Sequence, residues 1–300
     1  MDNLEAQLPT PYHGFHMRSS DKYCIISNNN WQTALKVMKT KGLKNLELNP
    51  NFINFAKNED LSFLEQFDFI EGLNVITPNL NSSFPFHKFL NLKELFLEYN
   101  EKILVNYSVF SKLENCFLDW RTKGSETINT VNNLTSLRVD NYRPYDLKEI
   151  SSLRNLKKLK FVDGKMHALS FIEEMKDLTL LQIYSCKNLS SIEDISELKN
   201  LEVVCFENCN EITSIKPISE LENLREFVHK NNGTIDTIQH IYSLNKLEKI
   251  NLYGTNIADG KLQVLHYLSE KGNLKNINFM NRKNYSHTRE QLGWVPPNPN

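Results

Sequence analysis

The sequence has little glycine, no surplus of either charge and no long hydrophobic run. Ten glycines among 300 residues argue against a glycine-lined nucleotide pocket. Lys and Arg total 35 and Asp and Glu total 36, so the formal net charge is −1 and binding to nucleic acid or an anionic membrane through bulk charge is disfavoured. No apolar run approaches the ~18–20 residues that span a bilayer. We therefore expect a partner that is neither nucleic acid nor membrane.

Cysteine is also scarce. The five cysteines form an odd set without CxxC spacing, which is typical of unpaired thiols in a reducing cytosol. The first residues have neither the basic nor the apolar segment of a secretory signal peptide. These two features predict a cytoplasmic location.

Motifs that carry catalytic chemistry are missing from the sequence. It contains no HExxH, GxSxG, GxGxxG or phosphate-binding P-loop pattern. His13 and His16 have a spacing that a metal could use, but no third ligand lies near them in sequence. Cys205 is expected on an exposed strand face without an adjacent histidine, so we interpret it as an unreactive thiol. We predict no enzymatic activity, no cofactor and no metal site.

One pattern recurs along most of the chain. It reads apolar, two spacers, apolar, one spacer, apolar, two spacers, and then Asn or a substitute, and Leu92, Leu95, Leu97 and Asn100 fit it completely. About eleven copies follow one another, 21 to 23 residues apart through the middle of the chain and 27 apart near each end. Because one copy cannot bury its own apolar side chains, we expect neighbouring copies to stack.

Two stretches carry the pattern most closely. Residues 192–201 and 215–224 both read I-x-x-I-S-E-L-x-N-L. With them the sequence resembles the leucine-rich-repeat family, in the 22-residue class found in internalin-type bacterial proteins, over roughly residues 43 to 282. The resemblance implies an α/β leucine-rich-repeat solenoid: a curved right-handed coil with a parallel β-sheet on the concave face and turns and short helices on the convex face.

The ends of such a coil need caps, because the terminal core would otherwise face water. We assign residues 1–42 to an N-terminal cap, 43–282 to about eleven repeats, and 283–300 to a C-terminal cap and a frayed tail. The C-terminal cap includes Thr288 and Gln291, whose spacing matches a capping box. Leu292 and Trp294 are expected to cover the final coil.

Two helices are predicted from apolar spacing. The N-terminal cap should contain a short strand around residues 23–26 and a helix from about Asn30 to Thr40, with Trp31, Leu35 and Met38 on one face. A second helix is expected over 262–272, ending at Gly272.

The last position of the pattern is expected to hydrogen-bond the turning backbone, so that successive copies form a ladder. Cys186 and Cys209 occupy this position, where the family pattern allows Asn or Cys. We expect the ladder to be broken where other residues stand there: Arg121, Tyr142, Gly164, Thr255 and Arg282.

The strand spacers define a candidate binding face, because side chains alternate across a strand and these positions should point outward. Aromatic and acidic residues dominate them in the third to fifth copies. The predicted partner-binding residues are Glu94, Phe96, Glu98, Tyr99, Phe117, Asp119, Trp120, Arg138, Asp140, Lys158, Lys160, Tyr184, Glu207 and Tyr253. Aromatic side chains surrounded by charge are typical of interface hot spots. The alternative is that Phe96 and Phe117 merely pack on each other across adjacent strands.

The resemblance implies that the concave face binds another protein. Our leading hypothesis is a non-catalytic, cytoplasmic protein-binding module that is a monomer when unbound. One alternative is an immunity protein that neutralises a cognate bacterial toxin, since an acidic, aromatic face suits a basic partner such as a toxin domain. Another is a secreted effector acting on a host protein. The sequence does not separate these roles.

Overall fold

The computed structural model describes residues 23–26, 31–48, 61–76 and 84–293. The chain forms two compact units, Met1–Asp140 (unit 1) and Asn141–Asn300 (unit 2). Both are built from one kind of coil, in which a short parallel strand alternates with a turn and a 3₁₀ segment. His13, His16 and Trp294 lie outside the described residues.

The described residues of unit 1 form six parallel strands and one α-helix. The strands pair in chain order and are β1 Cys24–Ile25, β2 Asn45–Leu48, β3 Gly72–Val75, β4 Glu94–Leu97, β5 Asn115–Asp119 and β6 Ser136–Asp140. Helix α1, Trp31–Lys41, follows β1 and precedes β2 in the sequence. The segments that lead from one strand to the next after β2, here called returning segments, contain 3₁₀ turns at Ser62–Phe67, Phe86–Lys88, Tyr107–Val109 and Ser125–Thr130.

Unit 2 repeats this plan. Its main parallel strands are β7 Lys158–Val162, β8 Leu180–Tyr184, β9 Val203–Glu207, β10 Glu226–Lys230, β12 Lys249–Asn251 and β14 Asn276–Asn278. A second, two-stranded sheet pairs β11 Thr234–Ile235 with β13 Asn256–Ile257. Helix α2 is Gln263–Glu270, and the 3₁₀ turns are Lys148–Ile150, Ile172–Glu174, Glu193–Glu197, Lys216–Glu220, Gln239–Ser243 and Glu290–Leu292.

The apolar positions of the pattern form the core of each unit. Leu95, Cys116 and Leu137 stand side by side on β4, β5 and β6, and all three are fully buried. The same position is buried on β7 and β8 at Leu159 and Leu181. Each strand therefore covers the apolar side chains of the next, and the predicted fold class, a leucine-rich-repeat solenoid with parallel strands, is confirmed.

The N-terminal helix forms, but its buried face is not the predicted one. Ala34 and Met38 are buried, whereas Trp31 and Leu35 are only partly so. The Trp31 ring stacks on Phe63 with 5.2 Å between ring centroids, so it covers a side chain of the first returning segment. Ala34 and Met38 thus form the buried face of the helix, and Trp31 adds an aromatic contact.

The C-terminal elements match their prediction. Helix α2 ends before Gly272, which has a φ of 81° and so stops the helix without steric cost. The capping box also forms: the Thr288 backbone N–H donates to the Gln291 side chain at 2.7 Å, and the Gln291 N–H donates to the Thr288 hydroxyl at 3.3 Å. Leu292 is buried as expected. No helix in the described ranges is long and apolar enough to cross a membrane.

A ladder of side-chain hydrogen bonds joins neighbouring coils of unit 2. The Asn232 amide donates to the Phe206 carbonyl oxygen at 3.0 Å and accepts from the Cys209 backbone N–H at 2.6 Å. One coil earlier, the Cys209 thiol lies 3.7 Å from the carbonyl oxygen of Ile183. Both side chains thus satisfy backbone groups that are buried where the chain turns.

The expectation of a broken ladder is wrong at Thr255. Its hydroxyl donates to the His229 carbonyl oxygen at 2.6 Å, which is the bond that Asn232 makes in the preceding coil. In unit 1 the residue after Arg121 takes part instead, because the Thr122 hydroxyl lies 3.5 Å from the Asn100 backbone nitrogen. A hydroxyl can therefore replace the amide, a possibility that the sequence pattern had not included.

The residue before the ladder position has a left-handed backbone at six places in unit 2, but not at Asn281, which precedes Arg282. The residues with positive φ at this position are Asn141, Asp163, Ser185, Asn208, Asn231 and Gly254. The backbone N–H at this position donates to the next strand, as in the 2.8 Å bond from Asn141 to the Val162 carbonyl oxygen, and Trp120 of unit 1 makes the same bond to the Asp140 carbonyl oxygen. In unit 1 the equivalent positions hold Tyr99 and Trp120, which do not adopt this conformation.

Candidate binding surface

Strands β4–β6 present two rows of side chains on their outward face. The in-register neighbours Phe96, Phe117 and Arg138 form one row, and Asp119 and Asp140 belong to the other. Together with the turns that follow these strands, they make up what we call the aromatic face: Phe96, Glu98, Tyr99, Phe117, Asp119, Trp120, Arg121, Arg138 and Asp140. All nine residues lie in unit 1.

The first row is a continuous stack. The rings of Phe96 and Phe117 meet edge to face with 6.3 Å between centroids. The guanidinium of Arg138 lies 4.4 Å from the centre of the Phe117 ring, and it also makes two hydrogen bonds of 2.8 Å to Asp140. The Phe96–Phe117 contact is the self-packing alternative considered from the sequence, yet both rings remain partly exposed. Self-packing therefore orders this surface without closing it.

A second stack is built around Arg121. Its guanidinium lies 4.1 Å from the centre of the Tyr99 ring and donates to both carboxylate oxygens of Asp119, at 2.9 and 2.7 Å. Asp119 is buried, which makes a two-pronged ion pair of this kind stronger than one in open solvent. Arg121 thus fixes the orientation of Tyr99.

Glu98 differs from the other carboxylates of the aromatic face. Within the described part of the chain its side chain makes no hydrogen bond or ion pair, whereas Asp119 and Asp140 each hold an arginine. Partial burial raises the pKa of the Glu98 carboxyl; the charge of Asp140 raises it further, and Arg138 opposes the shift. The face therefore contains one carboxylate that has no hydrogen-bond or ion-pair partner among the described residues.

Three of the predicted residues are buried rather than exposed: Glu94, Asp119 and Lys160. Glu94 accepts a hydrogen bond of 3.1 Å from the Tyr23 hydroxyl. The ion pair with Arg121 accounts for Asp119, and the Lys160 ammonium lies over the Tyr184 ring, 4.6 Å from its centre. The prediction that these side chains are exposed is therefore wrong, because neighbouring groups cover them.

The predicted residues of unit 2 form a smaller and more polar cluster. Tyr184 receives the Lys160 ammonium on its ring, and its hydroxyl lies 3.7 Å from the Cys205 thiol. Burial raises the pKa of Cys205 to about 11, so little of this thiol is ionised at neutral pH. Cys205 therefore lacks the ionised thiolate that a nucleophile needs.

The other predicted residues of unit 2 are paired or isolated. Glu207 accepts a 2.8 Å hydrogen bond from the Lys230 ammonium on the next strand. Lys158 on β7 and Tyr253 after β12 are exposed, and strands β8–β10 lie between them. They do not belong to one compact cluster.

Arg121 is the member of the aromatic face that sequence reasoning missed, because it occupies a ladder position. A signal was available: Asp119 with Arg121, and Arg138 with Asp140, are opposite charges two residues apart on one side of a strand. In both cases the structure turns that spacing into a bidentate ion pair.

These surfaces present groups suited to non-covalent binding. Among the described residues no group of three or more His, Cys, Asp or Glu side chains could hold a metal ion. The aromatic face combines apolar rings, fixed ion pairs and one unpaired carboxylate. Such a surface can bury a partner's apolar side chains and receive a positive charge.

Comparison with known proteins bears on the fold. No protein-family model matches the sequence, and no curated protein matches it significantly. Among solved structures, an internalin (inlF) from Listeria monocytogenes superposes with a TM-score of 0.56 at 16% sequence identity, covering 81% of this chain and 77% of that one. The chain has the leucine-rich-repeat fold of the internalins.

Two further leucine-rich-repeat structures are similar to a lesser degree. Internalin C2 (inlC2) from Listeria monocytogenes has a TM-score of 0.45 at 16% identity, over 72% of this chain and 83% of that one. A leucine-rich-repeat protein from Leptospira interrogans has a TM-score of 0.43 at 20% identity, over 82% and 74% of the two chains. At these identities the likeness concerns the fold of this leucine-rich-repeat chain and not its partner.

Proposed function

We propose that this leucine-rich-repeat chain is a non-catalytic protein-binding module, and that the aromatic face of unit 1 holds the partner. The observation that carries the proposal is the place of Tyr99 and Trp120. They stand at the turn position where six coils of unit 2 use Asn, Asp, Ser or Gly. The backbone at Tyr99 and Trp120 is not left-handed, and their partly exposed aromatic rings favour a role in contact.

The arginine pairs make the face suited to binding. Arg121 and Arg138 are each held by two hydrogen bonds to an aspartate and lie against the rings of Tyr99 and Phe117. Side chains that are already ordered lose little conformational entropy when a partner arrives. Rigid aromatic and arginine side chains at the centre of a surface are also the residues on which binding energy concentrates.

The proposal can be tested by affinity capture from the source organism with three immobilised proteins. These are the wild type, the double variant Phe117→Ala/Trp120→Ala, and Tyr145→Ala, which removes an aromatic residue exposed to 66% in unit 2. We expect at least one protein that the wild type and Tyr145→Ala retain and that the double variant loses, with unchanged circular dichroism. Identical captured sets for all three would refute this use of the aromatic face.

An immunity role is the more specific version of this proposal. Four carboxylates, Glu94, Glu98, Asp119 and Asp140, stand on the outward side of β4–β6 and the turns after them, against the two guanidiniums of Arg121 and Arg138. This excess of negative charge favours a basic partner, such as a toxin domain. Co-expression with the protein encoded by the neighbouring reading frame should then rescue growth. The double variant should fail to rescue, and a neighbour that is harmless when expressed alone argues against this role.

A secreted effector that binds a host protein would use the same face from a different compartment. A secretion assay on the tagged full-length chain separates the two cases: an effector is recovered outside the cell, and a cytoplasmic immunity protein is retained.

We propose a monomer in the unbound state, and sedimentation at micromolar concentration should give a mass near the 35.0 kDa of the chain.

A further inference from the structure

The unpaired carboxylate of Glu98 gives the aromatic face a specific chemical preference. Glu98 directly follows β4, and its template equivalents on the next two strands are Asp119 and Asp140, which stand opposite each other in the ladder. Three carboxylates thus occupy one row. Glu98 and Asp140 differ, because Asp140 forms an ion pair with Arg138 whereas Glu98 forms none with any residue that the structure describes.

Both arginines of the face are already engaged by another carboxylate. Arg121 uses its Nε and one terminal nitrogen on Asp119, and Arg138 uses the same two atoms on Asp140. Each guanidinium is also seated on an aromatic ring. Moving either one to Glu98 would break two charge-assisted hydrogen bonds and a cation–π contact, and it would leave another carboxylate unpaired.

We propose that Glu98 receives a positively charged side chain, lysine or arginine, from a protein partner whose adjacent apolar residue packs on Phe96 and Phe117. This inference rests on the proposed function, because it assigns the partner's chemistry at the same face. The four carboxylates and two guanidiniums on this side of β4–β6 give the partner's cation a net negative surface to approach. Glu98 is the member of that set with an unmet charge.

A random dodecapeptide library displayed on phage is a direct probe. It is panned on the immobilised full-length chain, and selected peptides are synthesised and titrated against the wild type and three variants. Glu98→Gln removes the charge at nearly constant volume, and Phe117→Ala truncates the apolar part of the face. Glu101→Gln is the matched control, because it removes a carboxylate three residues away that is exposed to solvent.

The expected result is a selected set enriched in peptides with Lys or Arg next to an aromatic or aliphatic residue. These peptides should bind Glu98→Gln at least tenfold more weakly than the wild type and Glu101→Gln unchanged. Their affinity for the wild type should fall as salt is raised, whereas their residual affinity for Glu98→Gln should change less.

The remaining outcomes separate the two proposals. Peptides that lose affinity for Phe117→Ala but bind Glu98→Gln as they bind the wild type would overturn the assignment of Glu98 and leave the binding face intact. Peptides that bind all variants equally, or a library that yields no peptide distinguishing the wild type from Phe117→Ala, would overturn both.

Discussion

His229 offers the sharpest test of how the coil is built, because it occupies a core position that is apolar in the neighbouring strands. Its side chain is fully buried between the rings of Phe206 and Phe227, with centroids 6.3 and 6.2 Å away. The Thr255 hydroxyl donates its hydrogen to the His229 carbonyl oxygen and lies 3.2 Å from Nδ1. Nδ1 must therefore carry the proton and donate to Thr255, which leaves Nε2 as an unprotonated nitrogen without a partner.

Acid should destabilise the protein through this residue. Burial lowers the pKa of His229 from 6.5 to about 3, because a charged imidazolium would be surrounded by apolar rings. The unfolded chain then binds a proton at His229 between these two pH values and the folded chain does not, so the free energy of unfolding falls as pH falls below 6.5. At pH 5 the difference from 6.5 is 1.5 pH units, which corresponds to a loss of about 2 kcal/mol.

The substitution His229→Leu isolates this effect, since Leu252 fills the same template position in the next coil. Urea unfolding followed by circular dichroism at pH 7.5 and pH 5 should show that the wild type loses about 2 kcal/mol more than His229→Leu between the two conditions. His266→Gln, which removes an exposed histidine on α2, controls for the loss of any one imidazole. Equal acid sensitivity in the wild type and His229→Leu would show that His229 is not held neutral by its surroundings.

Four further substitutions test the packing and backbone of single coils, each measured by urea unfolding. Tyr107→Phe should stabilise the protein by about 1 kcal/mol, because the buried Tyr107 hydroxyl has no hydrogen-bond partner; a loss of stability would contradict this. Asn232→Leu should cost about 2–4 kcal/mol, since it leaves one buried N–H and one buried carbonyl unpaired, and a near-neutral effect would remove the ladder's structural role. Gly124→Ala should cost more than about 2 kcal/mol, because its Cβ would lie only 2.1 Å from the Val105 carbonyl oxygen, whereas Gly42→Ala, with open space around its Cβ, should cost about 1 kcal/mol. Equal losses for the two alanine variants would argue that the left-handed backbone alone sets the cost.

The fold could be predicted because the spacing of the leucines reports a periodic environment. Each position of the pattern is buried by its equivalent in the next coil, so about eleven weak local signals add to one strong one. The α2 helix and the Thr288–Gln291 capping box were predictable for a related reason. Both depend on contacts within a few residues.

The candidate site was less predictable because its order comes from contacts between strands. The alternation of side chains along a strand predicts which face each side chain is on, but it does not predict how exposed the side chain is. Glu94 is buried, and its carboxylate accepts a hydrogen bond from the hydroxyl of Tyr23, which lies 71 residues away in the sequence. The role of Arg121 was hidden for the same reason, because a ladder position is expected to face the turn. The repeat pattern therefore predicts the direction of each side chain but not its hydrogen-bond and ion-pair partners.

The turn position before the ladder contains a signal that composition alone does not reveal. Five of its six occupants in unit 2 with positive φ are Asn, Asp or Gly, residue types that accept this conformation readily, and the sixth is Ser185. Once this rule of the repeat is known, Tyr99 and Trp120 are exceptions to it and not merely aromatic residues on a surface. The backbone at these two positions is not left-handed, so the coils of the aromatic face differ from those of unit 2 in turn conformation as well as in residue type. This departure from the repeat's own pattern, together with the guanidiniums stacked on Tyr99 and Phe117, supports the proposed binding face more directly than the number of aromatic residues does.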